Sequence, residues 1–134
     1  QIGVATKNIY EVQGSKDKYS KVAVNGIHDF AKKLLDIYDI CIDALVNDGS
    51  VDMNRLERQR ADIIDLKDEM FKAHMKRVHK GKCEAQLTSH YGELLQSLEY
   101  IGNCCLDLAD LVQEQHTIRL DIVKNIGQED IVEV

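Results

Sequence analysis

The stretch Leu87–Val112, LTSHYGELLQSLEYIGNCCLDLADLV, decides the fold. Leu87, Tyr91, Leu94, Leu98, Ile101, Cys105, Leu108 and Val112 follow one another in alternating steps of four and three. That is the a/d seam of an amphipathic helix, and such a seam packs knobs-into-holes against antiparallel neighbours. It predicts a long helix from about Cys83 to about His116, with Cys104 and Cys105 as small core residues. Beyond Gln115 the pattern weakens. Ile118, Leu120, Ile122 and Val123 continue it, while Gly127 and the acids Glu129, Asp130 and Glu133 predict a frayed end.

Two more helices precede this one. Ile27, Phe30, Leu34, Ile37, Cys41 and Leu45 form a stripe that predicts a helix over Lys21–Val46. The turn Asn47-Asp48-Gly49-Ser50 follows, and Asp52 is placed to cap a helix reaching about His79. Leu56, Ile63, Leu66, Met70 and Val78 are its apolar line. A basic last turn and Gly81 supply the expected end. Gln13-Gly14-Ser15-Lys16-Asp17 separates a shorter N-terminal helix from the rest. The fold class is therefore all-α: an up-down antiparallel helical bundle of three long helices plus a short N-terminal one.

Composition agrees. Hydrophobic residues make up 44% of the 134, enough for a packed core, and there is no proline to interrupt long helices. The net charge of −6 argues against a general nucleic-acid partner. No apolar run approaches the roughly 20 residues that span a bilayer, and residues 1–13 lack the pattern of a signal peptide. The four cysteines show no CxxC spacing, which reads as free thiols in a reducing compartment.

The chain also carries a faint internal echo. Ile2-Gly3-Val4-Ala5-Thr6-Lys7-Asn8-Ile9-Tyr10-Glu11 aligns with Ile101-Gly102-Asn103-Cys104-Cys105-Leu106-Asp107-Leu108-Ala109-Asp110. Duplicated supersecondary units leave such marks. The echo implies that residues 1–13 are the end of the last helix of a truncated first repeat. Residues 20–116 are then a complete three-helix repeat, and 117–134 a C-terminal helical extension.

Glu99-Tyr100-Ile101-Gly102-Asn103 through Asp110 resembles the third-helix signature of the PhoU family, regulators of bacterial phosphate uptake. The matching positions are Ile2, Gly3, Asn8 and Glu11 in the first copy and Ile101, Gly102 and Asp110 in the second. The resemblance implies tandem three-helix repeats and one of two contexts. The first is a domain on the cytoplasmic side of the inner membrane, fused to a sodium/phosphate cotransporter. It would modulate transport by docking to the membrane portion or to another copy of itself, as a dimer. The alternative is a free-standing, metal-dependent regulator of the phosphate ABC transporter and its sensor kinase. The family's Asp after Gly is Val4 here in one copy and Asn103 in the other, which favours the fused domain.

The resemblance also implies a candidate metal site. Glu99 and Asn103 stand four apart on one helical face, with Asp62, Asp65 and Asp107 able to add oxygens. Such ligands suit iron, manganese or zinc, but an amide in place of a carboxylate weakens the set. Solvated or hydrogen-bonded acids are the simpler reading, and no cofactor is required. Histidines read as single surface or capping groups. Lys72, Lys76, Arg77, Lys80 and Lys82 form a run without acids that complements a helix C-terminus. The same run could contact anionic lipid heads. No phosphate-binding glycine loop appears and no histidine is spaced to activate a cysteine, so an enzyme is not expected.

Overall fold

The computed structural model describes residues 2–13, 19–47 and 50–132. Four α-helices follow in order: α1 (Ile2–Gln13), α2 (Lys21–Val46), α3 (Met53–His79) and α4 (Thr88–Val132), the last entered through a 3₁₀ turn at Ala85–Leu87. No strand occurs among the described residues. The Gly14–Asp17 part of the expected linker, and Asp48 and Gly49 of the expected turn, lie outside the described residues.

Helix ends are set by local chemistry. Ser20 caps α2 by accepting the amide of Ala23 at 3.2 Å. Asp52 caps α3 by accepting the amides of Asn54 and Arg55 at 3.0 and 3.3 Å. Each such cap satisfies a donor that has no intrahelical partner. α3 ends on Gly81, whose φ of 68° is a left-handed conformation that side-chain-bearing residues resist. The Lys82 amide then donates to the Arg77 carbonyl at 2.8 Å, closing the turn.

α4 is the hub, packing against α1, α2 and α3 in turn. Its partners run up and down around it. Asp52 at the start of α3 sits near α4's middle, where the Val51 amide donates to Gln113 Oε1 at 2.7 Å. His74 near the end of α3 meets Thr88 at α4's start. α1 descends to the same end, bringing Asn8 and Glu11 to His90.

The α4 core line departs from the seam read in the sequence. Leu87, Tyr91, Leu94 and Leu98 are buried as expected, but Leu108 is exposed and Ile101, Cys105 and Val112 are half-buried. Leu95, Gly102, Leu106 and Ala109 are buried instead. The reason is periodicity: a straight helix turns every 3.6 residues, so a strict seven-residue seam drifts about 20° per heptad off the face that packs. The same drift turns Leu45 of α2 outward and Ala44 inward. Cys104, expected in the core, is exposed.

α4 continues without a break into the C-terminal helical extension expected for 117–134. It runs through Gly127 to Val132, and every residue from Thr117 to Gln128 is exposed. The extension is a helix with no buried residue between Thr117 and Gln128.

Candidate functional site

The residues implicated by sequence fall into separate places. Gly102 lies where α2, α3 and α4 meet. A Cβ built there would stand 2.8 Å from Ile63 Cδ1 and 2.9 Å from Leu34 Cδ2. Gly3, its counterpart in the echo, has no such neighbour within 4 Å. The two copies turn opposite faces inward: Gly102, Leu106 and Ala109 are buried, while their counterparts Gly3, Lys7 and Tyr10 are exposed. Ala5 and Asn8 are buried in their place. Asn8 donates to the Val4 carbonyl at 3.0 Å and accepts from His90 Nδ1 at 2.9 Å. Glu11 stands 3.7 Å from Lys7 and 3.6 Å from that same ring nitrogen.

The candidate metal ligands are spread along α3 and α4, and Asp62, Glu99 and Asp107 are paired with cations. Lys33 Nζ meets Asp62 at 3.1 Å, and Lys67 Nζ meets Glu99 at 2.6 Å. Arg60 Nη2 bridges Asp107 at 2.8 Å and Asp110 at 2.6 Å. Asp65 is exposed and Asn103 half-buried. Among the described residues no three His, Cys, Asp or Glu side chains gather so as to hold a metal ion. The set forms a ladder of ion pairs tying α3 to its neighbours.

The basic run divides likewise. Lys72, Lys76, Lys80 and Lys82 are exposed, but Arg77 is half-buried, with Nε and Nη2 shut off from solvent and without hydrogen-bond partners among the described residues. It belongs to a polar cluster that sequence reading missed. His74 is 1% exposed, its ring 4.7 Å from Tyr91, which in turn lies 5.6 Å from Tyr19. His74 Nε2 hydrogen-bonds Thr88 Oγ1 at 3.1 Å. Burial, with the positive charge of Arg77 second, lowers the His74 pKa below its ordinary value. Burial pushes the Tyr19 hydroxyl up to about 12. Burial works against ionisation of Cys83, but the neighbouring Ser20 and the positive charge of Arg77 outweigh it and draw its pKa below the usual value. The available signal was position: His74 follows Met70 by four and precedes Val78 by four, on the apolar line of α3.

Two surfaces remain open. On α2 the residues Val24, His28, Ala31, Leu35, Tyr38, Ile42 and Leu45 step by four and three, and all are exposed. This is a second seam, on the side of α2 away from the core. Where α2 ends, a groove of about 270 Å³ opens between Ala44 and Leu45 of α2 and Leu111, Val112, Gln115, His116 and Arg119 of α4. Among the described residues no helix is long and apolar enough to cross a membrane. Comparison with protein-family models, with curated proteins and with solved structures returns no match.

Proposed function

We propose that the chain is a PhoU-like docking module. It acts on the cytoplasmic side of the inner membrane and modulates a sodium-dependent phosphate cotransporter by protein–protein contact. The observation that carries this reading is the outward seam of α2. Leu35 is 63% exposed and Tyr38 51%, in a row with heptad spacing that has no partner among the described residues. Contiguous exposed apolar surface of this kind marks an interaction site rather than a solvated face.

Three further features support it. The glycine of the Ile101-Gly102 signature has a mechanical task at the crossing of three helices. The signature's acids serve ion pairs between helices. The exposed lysines Lys72, Lys76, Lys80 and Lys82 stand at the end of α3, where an anionic lipid surface could be met. Fold alone would not carry a function, and a phosphate connection rests on the motif.

The test is binding of the purified chain to the membrane portion of a sodium/phosphate cotransporter held in nanodiscs. Micromolar binding is expected, weakened about tenfold or more by Leu35→Glu with Ile42→Glu. Absence of binding at about 100 μM, an upper limit for a useful regulatory contact, sinks the proposal.

A further inference from the structure

The polar cluster at the end of the bundle, where α2 begins and α3 stops, gathers orphaned polar atoms. Tyr19 Oη, His74 Nδ1 and Arg77 Nε and Nη2 are all shut off from solvent and without hydrogen-bond partners among the described residues. The groups adjoin one another. The Tyr91 ring lies 5.6 Å from Tyr19 and 4.7 Å from His74. Arg77 is close enough to His74, Tyr91 and Cys83 for its charge to act on all three. Buried polar groups in native proteins are almost always paired, so this concentration of orphans marks a place for a ligand or for water.

All of these atoms can donate. The Tyr19 hydroxyl and the Arg77 nitrogens carry hydrogens by nature. His74 Nε2 is engaged by Thr88 Oγ1 at 3.1 Å, and when that hydroxyl donates to it the ring hydrogen sits on Nδ1. Arg77 keeps its charge throughout the physiological range, yet no ion pair among the described residues includes it. A buried charge without a partner is costly. The orphaned pair is also specific in shape. Nε and Nη2 form one edge of the guanidinium, the fork that takes two oxygens of a single anion.

From this arrangement we infer that Arg77, Tyr19 and His74 form a binding site for a small tetrahedral oxyanion, held side-on by the Arg77 fork. Two further oxygens of such an ion lie outside the plane of the fork, where the Tyr19 hydroxyl and His74 Nδ1 can meet them. A carboxylate has no oxygens to spare for those two donors. The fork is shut off from solvent, so the ligand is a free ion rather than a group on a larger body. Tyr19 and Cys83 are themselves half-buried, which leaves a small ion a way in. Occupancy would fasten the residues that precede α2 to the last turn of α3. The inference is independent of the docking role given to the outward face of α2.

Cys83 supplies the readout. Arg77 favours its thiolate, and an anion on Arg77 offsets that charge, so filling the site makes Cys83 a slower nucleophile. The full chain is titrated with sodium sulfate, phosphate or acetate at constant ionic strength set by sodium chloride. Alkylation by iodoacetamide is followed at each cysteine by mass spectrometry. Cys104, exposed on α4, is the internal control. Sulfate and phosphate should slow Cys83 several-fold and saturate with a Kd of about 1 to 10 mM, leaving Cys104 unchanged. Acetate should bind about tenfold more weakly or worse. Arg77→Lys keeps the charge but loses the fork, and should weaken sulfate about tenfold or more. Tyr19→Phe removes one donor and should weaken it several-fold, a second route if circular dichroism shows that Arg77→Lys does not fold.

Cys83 labelling that is indifferent to about 100 mM sulfate overturns the inference, because water then meets the orphaned atoms. A slowing that never saturates, or that Cys104 shares, overturns it as a general salt effect. Acetate as effective as sulfate overturns the tetrahedral assignment. Folded variants at Arg77 and Tyr19 that bind sulfate like the unaltered chain place the ion elsewhere and overturn the site.

Discussion

Gly102 and His74 are the two residues whose replacement is most revealing. A helical glycine replaced by alanine normally stabilises by up to about 1 kcal/mol. At Gly102 the new methyl would press on both Ile63 and Leu34, and overpacking of that kind costs roughly 1 to 3 kcal/mol. Gly102→Ala is therefore expected to lower stability by about 1 kcal/mol in urea denaturation. Gly3→Ala, at the echoed position with open space around it, should be neutral or slightly stabilising. Equal effects at the two sites would refute the distinction between the copies. His74 sets a pH dependence. Its folded pKa lies below the ordinary histidine value because it is buried beside Arg77, so the unfolded chain binds its proton first as pH falls. Stability contributed by neutral His74 is complete above about pH 6.5 and declines as pH drops from there towards the folded pKa. The denaturation midpoint should fall between pH 7 and pH 5.5, and His74→Phe should flatten that fall. An unchanged slope in the variant would assign it to other groups.

At the scale of helices, what the sequence reveals is limited by what periodicity encodes. The bounds of α2 are as expected, and Asp52 and Gly81 delimit α3 as expected, because stripes, caps and stop signals are local. The drift of the α4 core from Leu108 to Leu106 and Ala109 was not legible, since it depends on how far a straight helix turns against two particular neighbours. The pairing of acids was not legible either. Asp62, Glu99, Asp107 and Asp110 look alike in sequence, and their cations Lys33, Lys67 and Arg60 reach them only through the register between helices. That register makes the rungs unequal. Glu99 and Lys67 are 18% and 29% exposed at their side chains, whereas Asp107 is 66% exposed. Lys67→Met leaves a largely buried carboxylate unpaired and should cost about 1 kcal/mol. Asp107→Asn should cost no more than a few tenths of a kcal/mol, since an exposed ion pair contributes little. Thermal denaturation at low and high salt checks both, and a larger loss from Asp107→Asn would contradict the ladder.

The whole molecule joins a core of uneven reach to a helix that outruns it. α2 ends at Val46, and α4 continues to Val132, exposed at every residue from Thr117 to Gln128. Local opening energies should follow that geometry. Amides of Leu94–Ala109, flanked by buried side chains on α2 and α3, should exchange only through global unfolding. Amides beyond Thr117 have only helix propensity to protect them in an isolated chain, and that leaves helices of this length marginal. Hydrogen exchange read by mass spectrometry should therefore separate two regimes. In dilute solution the extension exchanges rapidly while the core stays protected. Protection of the extension that is complete at every dilution would mean that its partner lies within the same chain.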